Sequence, residues 1–204
     1  MRAETRTARI GRFLLLSFIF WGMGCIGKTP PVQYYVLTAS SLEQTDARES
    51  YRGDFSIGVG PVEIPEILDR PQIVTRTDAN RVEVAEYHRW GGSLKTGITE
   101  HLVRELSFLL KNYRVYSIPQ RNLPALDYRI LVTVHRFDGR PGEEVFLDVS
   151  WAIVNPSREK TLTGKRSTFA SVAKGSAYSD YVAAQSRTLT DLSRELAAAM
   201  ADIR

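Results

Sequence analysis

Two kinds of hydrophobic spacing alternate along this chain. Over residues 93–111 the apolar positions Leu94, Ile98, Leu102, Leu106 and Leu109 recur every three to four places, and Val103 and Leu110 widen the stripe. That spacing lays one face of a helix against a core and predicts an amphipathic helix about five turns long. Ser93 is placed to cap its start, and Lys111 with Asn112 suits its end. Val182, Gln185, Leu189, Leu192, Leu196, Met200 and Ile203 repeat the pattern over residues 179–203 and predict a second long helix. Its stripe serves either as core or as the seam of a homo-oligomer.

Elsewhere the spacing drops to two. Phe55, Ile57 and Val59 alternate with Ser56, Gly58 and Gly60, which predicts a half-buried strand. Residues 33–37 are rich in strand formers, and residues 38–54 are polar enough to read as a surface loop. Residues 72–77 and 81–85 flank Asp78-Ala79-Asn80 and predict a hairpin, preceded by a turn that Pro65 and Pro71 bracket. Further β-like segments at 114–118, 128–137, 145–154 and 162–172 are separated by turn chemistry such as Asp138-Gly139-Arg140 and Asn155-Pro156-Ser157. They predict a meander of antiparallel strands. Two long helices and about eight strands outside strict βαβ alternation predict an α+β fold, a two-layer sandwich with both helices packed on one face of a largely antiparallel sheet.

The N-terminus follows neither spacing. Arg2, Arg6, Arg9 and Arg12 stand against one acid, Glu4, and residues 13–23 carry no charge. A basic segment followed by a short apolar one reads as an export signal. The apolar run falls well short of the ~20 residues that cross a bilayer as a helix, so cleavage is expected in place of permanent insertion. Gly24 and Cys25, the one cysteine of the chain, supply the small residue and the thiol that lipoprotein processing uses. The alternative is an ordinary secretory signal that leaves a free thiol. Lipidation at Cys25 divides the chain into a signal peptide (1–24), a lipidated tether (25–32) and a single α+β domain (33–204). Ile26, where an Asp favours inner-membrane retention in enteric-type bacteria, points to the periplasmic face of the outer membrane. Each buried acyl methylene contributes about 0.8 kcal/mol, and with two or three chains such an anchor is effectively permanent. Residues 26–32, with Gly, Lys and a Pro-Pro pair, resist helix and strand and reach at most roughly 25 Å.

Composition changes little once the leader is set aside. The full chain holds 27 Lys plus Arg and 23 Asp plus Glu; without the leader's four Arg and one Glu the balance is 23 to 22, a net charge of about +1. No concentrated basic face is expected, so nucleic acid is not a predicted partner. Catalytic chemistry is sparse as well. His88, His101 and His135 fall on different elements without metal-ligand spacing, so no metal is predicted. Gly58 and Gly60 are followed by Pro61 and Pro65, not by the third glycine and helix that a phosphate loop needs. Glu143 and Glu144 sit in a turn and read as solvated carboxylates, not as an acid and base pair. Trp90 and Trp151 serve either as stacking platforms for a ligand or as core anchors.

The runs Ile57-Gly58-Val59-Gly60-Pro61-Val62-Glu63-Ile64-Pro65 and Leu68-Asp69-Arg70-Pro71-Gln72-Ile73-Val74-Thr75-Arg76 resemble the ABC-type transport auxiliary lipoproteins, the PqiC-like family. Arg89-Trp90 ahead of the first helix, Tyr34-Tyr35-Val36-Leu37 after the lipidated cysteine, and Trp151 in a late strand match the same pattern. The resemblance covers nearly all of the chain after the leader. It implies a non-enzymatic outer-membrane lipoprotein of a lipid-moving system, with no cofactor beyond the covalent lipid on Cys25. The implied partners are an MCE-domain conduit protein and, through it, an ABC permease and ATPase. A partner or self-association surface is expected at Leu68, Asp69, Arg70, Pro71 and Gln72, with Leu68 supplying apolar area and Arg70 and Gln72 directional contacts. The competing reading of that turn is a local ion pair between Asp69 and Arg70. Two other functions stay open: a periplasmic lipid-binding shuttle, and a scaffold or activator for cell-wall synthesis or secretion.

Overall fold

Among the described residues of the computed structural model, which are 29–40, 55–120 and 122–203, eight strands and two helices follow one another. They are β1 (Gln33–Tyr35), β2 (Phe55–Glu63), β3 (Gln72–Asp78), β4 (Arg81–Trp90), α1 (Leu94–Leu109), β5 (Tyr113–Ser117), β6 (Tyr128–Gly139), β7 (Glu144–Asn155), β8 (Lys160–Val172) and α2 (Tyr178–Asp202). Contacts group Val32–Arg204 as one unit, distinct from residues 1–31. The predicted signal peptide and Cys25 lie outside the described residues, as do positions 41–54 of the predicted loop.

The expected α+β architecture is present, with its strands divided between two sheets. A small sheet has the order β1-β4-β3 and a larger one the order β5-β2-β6-β7-β8. The predicted hairpin is β3 and β4, and the long antiparallel pairings of β6 with β7 and β7 with β8 form the predicted meander. The strand at Tyr113–Ser117 does not join that meander. It pairs in parallel with β2 at the opposite edge, because α1 intervenes and carries the chain back in the original direction. Strand β2 is therefore parallel to both neighbours, β5 and β6, and buried on both faces where the alternation predicted one. The small side chains explain this. A Cβ on Gly58 would stand 2.5 Å from Ile118 Cδ1 and 2.6 Å from Leu126 Cδ1, and Gly60, at φ +118°, would place one 2.5 Å from the Ile118 carbonyl oxygen. The glycines admit the chain after β5 onto the sheet.

Both helices pack on one face of the larger sheet, α1 against β2 and β5, α2 against β7 and β8, and each against the other. Along β7 the inward residues Val145, Leu147, Val149, Trp151 and Ile153 are buried, with half-exposed neighbours between them. Ile98, Leu102 and Leu106 of α1 and Leu189, Leu192, Leu196 and Met200 of α2 are fully buried against them. The α2 stripe is thus core. Ser93 holds the N-cap position of α1, yet its side chain makes no capping bond.

The helix seam also contains polar groups. Glu105 accepts hydrogen bonds from the Ser40 hydroxyl at 2.8 Å, from the Ser40 backbone N–H, and from the Thr190 hydroxyl at 3.2 Å. Thr38 N–H donates to Ser186 Oγ at 3.1 Å. The segment that leaves β1 is therefore strapped over the seam by two side chains, one from each helix.

Candidate functional site

Two of the motif segments, distant in sequence, meet at one end of the small sheet. A 3-10 turn at Glu66–Leu68 is held by Leu68 N–H donating to the Pro65 carbonyl at 2.9 Å and Asp69 N–H to that of Glu66 at 3.0 Å. Trp90 N–H donates to the Pro71 carbonyl at 2.7 Å, and Gly91 N–H to the Tyr35 carbonyl at 2.8 Å. These bonds fasten β1, the end of β4 and the turn before β3 to one another. Beside them, at the start of α1, lies a depression of about 350 Å³ lined by Asp69, Arg70, Pro71, Trp90, Gly92 and Ser93, among others.

The five expected surface residues divide here. Leu68 is only 4 % exposed and belongs to the core, so it does not offer the apolar area expected of it; its neighbour Ile67, 41 % exposed, does. Asp69 pairs with Lys95 at 2.7 Å, not with Arg70. Both partners are solvated, so that bridge contributes under about 1 kcal/mol. Pro71 is exposed, and Gln72 lies opposite Arg89 in the β3–β4 register. Arg70 is the unusual member. Its Nε is removed from solvent and meets no acceptor among the described residues, and the same holds for Nε of Arg89. A guanidinium is always charged, and a buried donor left unpaired costs about 1–3 kcal/mol. An acceptor from another molecule would relieve that cost at this place.

A second depression, of about 420 Å³, contains more charge but less unmet demand. Arg76, Arg136, Arg140, Glu143, Glu144 and Phe146 are among its lining residues. Asp138 accepts from Arg76 Nε at 2.9 Å and Nη2 at 2.7 Å, and from Arg136 Nε at 2.7 Å. Burial works to raise the pKa of Asp138, but the hydrogen bonds and charges of the two arginines outweigh it and hold the carboxyl below the ordinary range. The Arg136 guanidinium lies 4.5 Å over the Phe146 ring, and Arg140 reaches Glu143 at 3.5 Å. Because Arg76 is on β3 and Asp138 on β6, this cluster fastens the small sheet to the large one. Sequence placed Arg76 in a motif run and Asp138 in a turn, whereas Asp138 lies within β6 and is buried; a charged residue directly after an apolar strand run is the signal that marks it.

Trp90 and Trp151 are core anchors, 7 % and 5 % exposed. Trp151 Nε1 donates to Glu195 Oε1 at 2.7 Å, and Ser167 and Lys165 bind the same carboxylate. The histidines are apart, as their positions in sequence suggested. His88 stacks on Tyr178 with ring centroids 3.8 Å apart, His135 bonds Ser150 at 2.7 Å, and His101 is buried in the helix seam. Among the described residues no group of His, Cys, Asp and Glu is arranged to hold a metal ion. No described helix is long and apolar enough to cross a membrane.

Comparison with known proteins bears on both fold and family. No curated protein matches the sequence. The crystal structure of an uncharacterized protein superposes with a TM-score of 0.69 at 19 % identity, covering 84 % of this chain and 99 % of that one. A protein of Xanthomonas campestris superposes with a TM-score of 0.65 at 18 % identity, covering 81 % of this chain and 93 % of that one. At such identities these likenesses establish the fold alone. The sequence model of the ABC-type transport auxiliary lipoprotein component matches residues 35–197, a span that includes β1's last residue, all of α1, most of α2 and the whole depression beside α1. On that match the chain belongs to the ABC-type transport auxiliary lipoprotein family, whose members are components of transport systems in the cell envelope.

Proposed function

We propose that this chain is a non-enzymatic subunit of an MCE-type ABC lipid transport system. In this reading it is anchored through lipid on Cys25 to the periplasmic face of the outer membrane, and it receives a periplasmic MCE-domain conduit, whose other end meets the permease and ATPase. The conduit docks at the depression between the Leu68–Gln72 turn and the start of α1. The observation that carries this is Arg70, a charged side chain with a buried, unpaired Nε in the depression where the family's motif segments converge. By contrast, the arginines of the larger depression already have partners within the chain.

Affinity purification of the full-length tagged protein from gently solubilised native envelopes, beside Arg70→Glu and Cys25→Ser, tests the proposal. Wild type should bring down an MCE-domain protein and Arg70→Glu should not. Reversing a charge at a desolvated interfacial contact costs about 2–5 kcal/mol of affinity, enough to lose the complex on washing. Circular dichroism on the same variant should show a folded chain, because Arg70 Nε has no partner among the described residues whose loss would destabilise it. Recovery of cell-wall or secretion proteins in place of an MCE protein would transfer the assignment to a scaffold. Undiminished capture by Arg70→Glu would remove the depression from the interface.

A further inference from the structure

Strand β1 is an edge strand, paired with β4 on one side and with no described strand on the other. Residues opposite in register share a face of a sheet. Gln33, Tyr35, His88 and Trp90 therefore lie on one face and Tyr34, Arg89 and Gln72 on the other. The first face is inward: Trp90 is in the core, and Tyr35 and His88 pack on Tyr178 of α2. The second face looks out. Tyr34 and Val36, at 67 % and 68 %, are the most exposed large apolar side chains among the described residues, and Val32, in the same alternation, is 37 % exposed. Arg89 sits in this row, with its Nε shielded from solvent and without a partner among the described residues.

We infer that this face of the small sheet lies against the phospholipid headgroup layer of the membrane that holds the anchor, with Tyr34 and Val36 at the interface and Arg89 directed to phosphate. The inference rests on the reading of Cys25 as the lipidated residue. From Cys25 to Val32 the chain can extend at most about 25 Å, so the first strand of the unit cannot leave the neighbourhood of the bilayer. The composition fits that place, since aromatic and basic side chains concentrate where apolar and aqueous phases meet. Size argues for lipid over protein. A stable protein interface engages about 20–30 residues a side, far more than this short row provides. A surface already tethered by acyl chains needs no such area, because the anchor supplies the affinity and the row only sets orientation.

The test uses the full-length chain, processed in its own envelope, purified and reconstituted into phosphatidylethanolamine and phosphatidylglycerol vesicles with plain or brominated acyl chains. Tyr34→Trp and Val36→Trp place a reporter on the row, and Val172→Trp, 59 % exposed on the edge strand of the other sheet, is the control. The native Trp90 and Trp151 are buried and common to all samples. Emission from both row variants should shift to the blue and be quenched by the brominated lipid, while the control should emit alike in both vesicles. Intact mass reports acylation separately. An acylated chain whose row variants escape quenching overturns this inference alone, as does equal quenching of the control. A processed chain without acyl mass overturns the anchoring reading and this inference together.

Discussion

Acid should loosen the helix seam before it breaks the ion pairs of the fold. His101, on α1, is 1 % exposed, with Nε2 3.3 Å from Thr190 Oγ1 of α2 and Nδ1 without a partner among the described residues. Burial is the largest influence on its imidazole; the Glu105 carboxylate opposes it, Arg104 adds to it, and the outcome is a pKa pulled down to about 4. In the unfolded chain an imidazole binds its proton near 6.5. Between those values the unfolded state holds more protons, so stability is complete above about pH 6.5, declines as pH falls, and has lost its full share once pH passes the folded value. Each tenfold difference in proton affinity is worth about 1.4 kcal/mol, so a gap from 6.5 to about 4 amounts to about 3 kcal/mol at most. Urea unfolding across that window, followed by circular dichroism, reads it directly. Wild type should lose stability steadily, whereas His101→Gln, which cannot charge, should show a much flatter dependence over the same range. A variant that keeps the wild-type slope would refute the assignment, because some other group would then be taking up the protons.

Two further perturbations test parts of the fold that position the proposed site. Asp138→Asn should cost about 2–4 kcal/mol, since it strips the charge from a carboxylate shared by two arginines that still reach some solvent. The folded carboxyl of wild type lies below its ordinary range, so its contribution is present at neutral pH and is lost as pH falls through that low value, in a more acidic window than the one His101 governs. Equal urea midpoints for Asp138→Asn and wild type at neutral pH would contradict this. Trp90→Ala should cost about 3–5 kcal/mol by emptying a core site. A loss below 1 kcal/mol in the same assay would mean that the small sheet repacks freely.

Much of this was legible from spacing because the solvent boundary writes itself into the sequence. The α1 stripe from Leu94 to Leu106 and the β7 alternation from Val145 to Ile153 each face one core and one exterior, so their burial follows the period. Strand β2 does not, since its second face is covered not by a helix but by Ile118 and Leu126, which small residues admit. A pattern of small residues looks the same whether it faces water or a close-packed neighbour. Pairing partners were harder still. Nothing in the sequence of Tyr113–Ser117 distinguishes a fourth meander strand from an edge strand beside β2; the choice is made by the preceding helix, which reverses the chain. Within the candidate site, residue types marked the right turn but not the roles. Leu68 and Ile67 are both apolar, and only the phase of the 3-10 turn decides which is core. Asp69 had two cationic neighbours available, Arg70 in sequence and Lys95 in space, and it pairs with the one that leaves Arg70 open.

That choice bears on how the chain would receive a partner. Tyr35 of β1 accepts from Gly91, and Trp90, the adjacent residue, donates to Pro71 in the turn that carries Arg70. Two consecutive backbone amides thus connect β1 to the proposed docking turn, with no loop between them that could absorb motion. Beyond the C-terminal end of the same strand, Thr38 and Ser40 are bonded to Ser186 and Glu105, one on each helix. A load applied at the start of β1 would therefore be divided between the edge of the small sheet and the helix seam. If the outer face of β1 is seated on lipid, the depression is held at a fixed height and tilt relative to the bilayer. A partner docking there would meet a pre-oriented surface and would have less orientational freedom to remove on binding than it would with a domain swinging on a flexible linker.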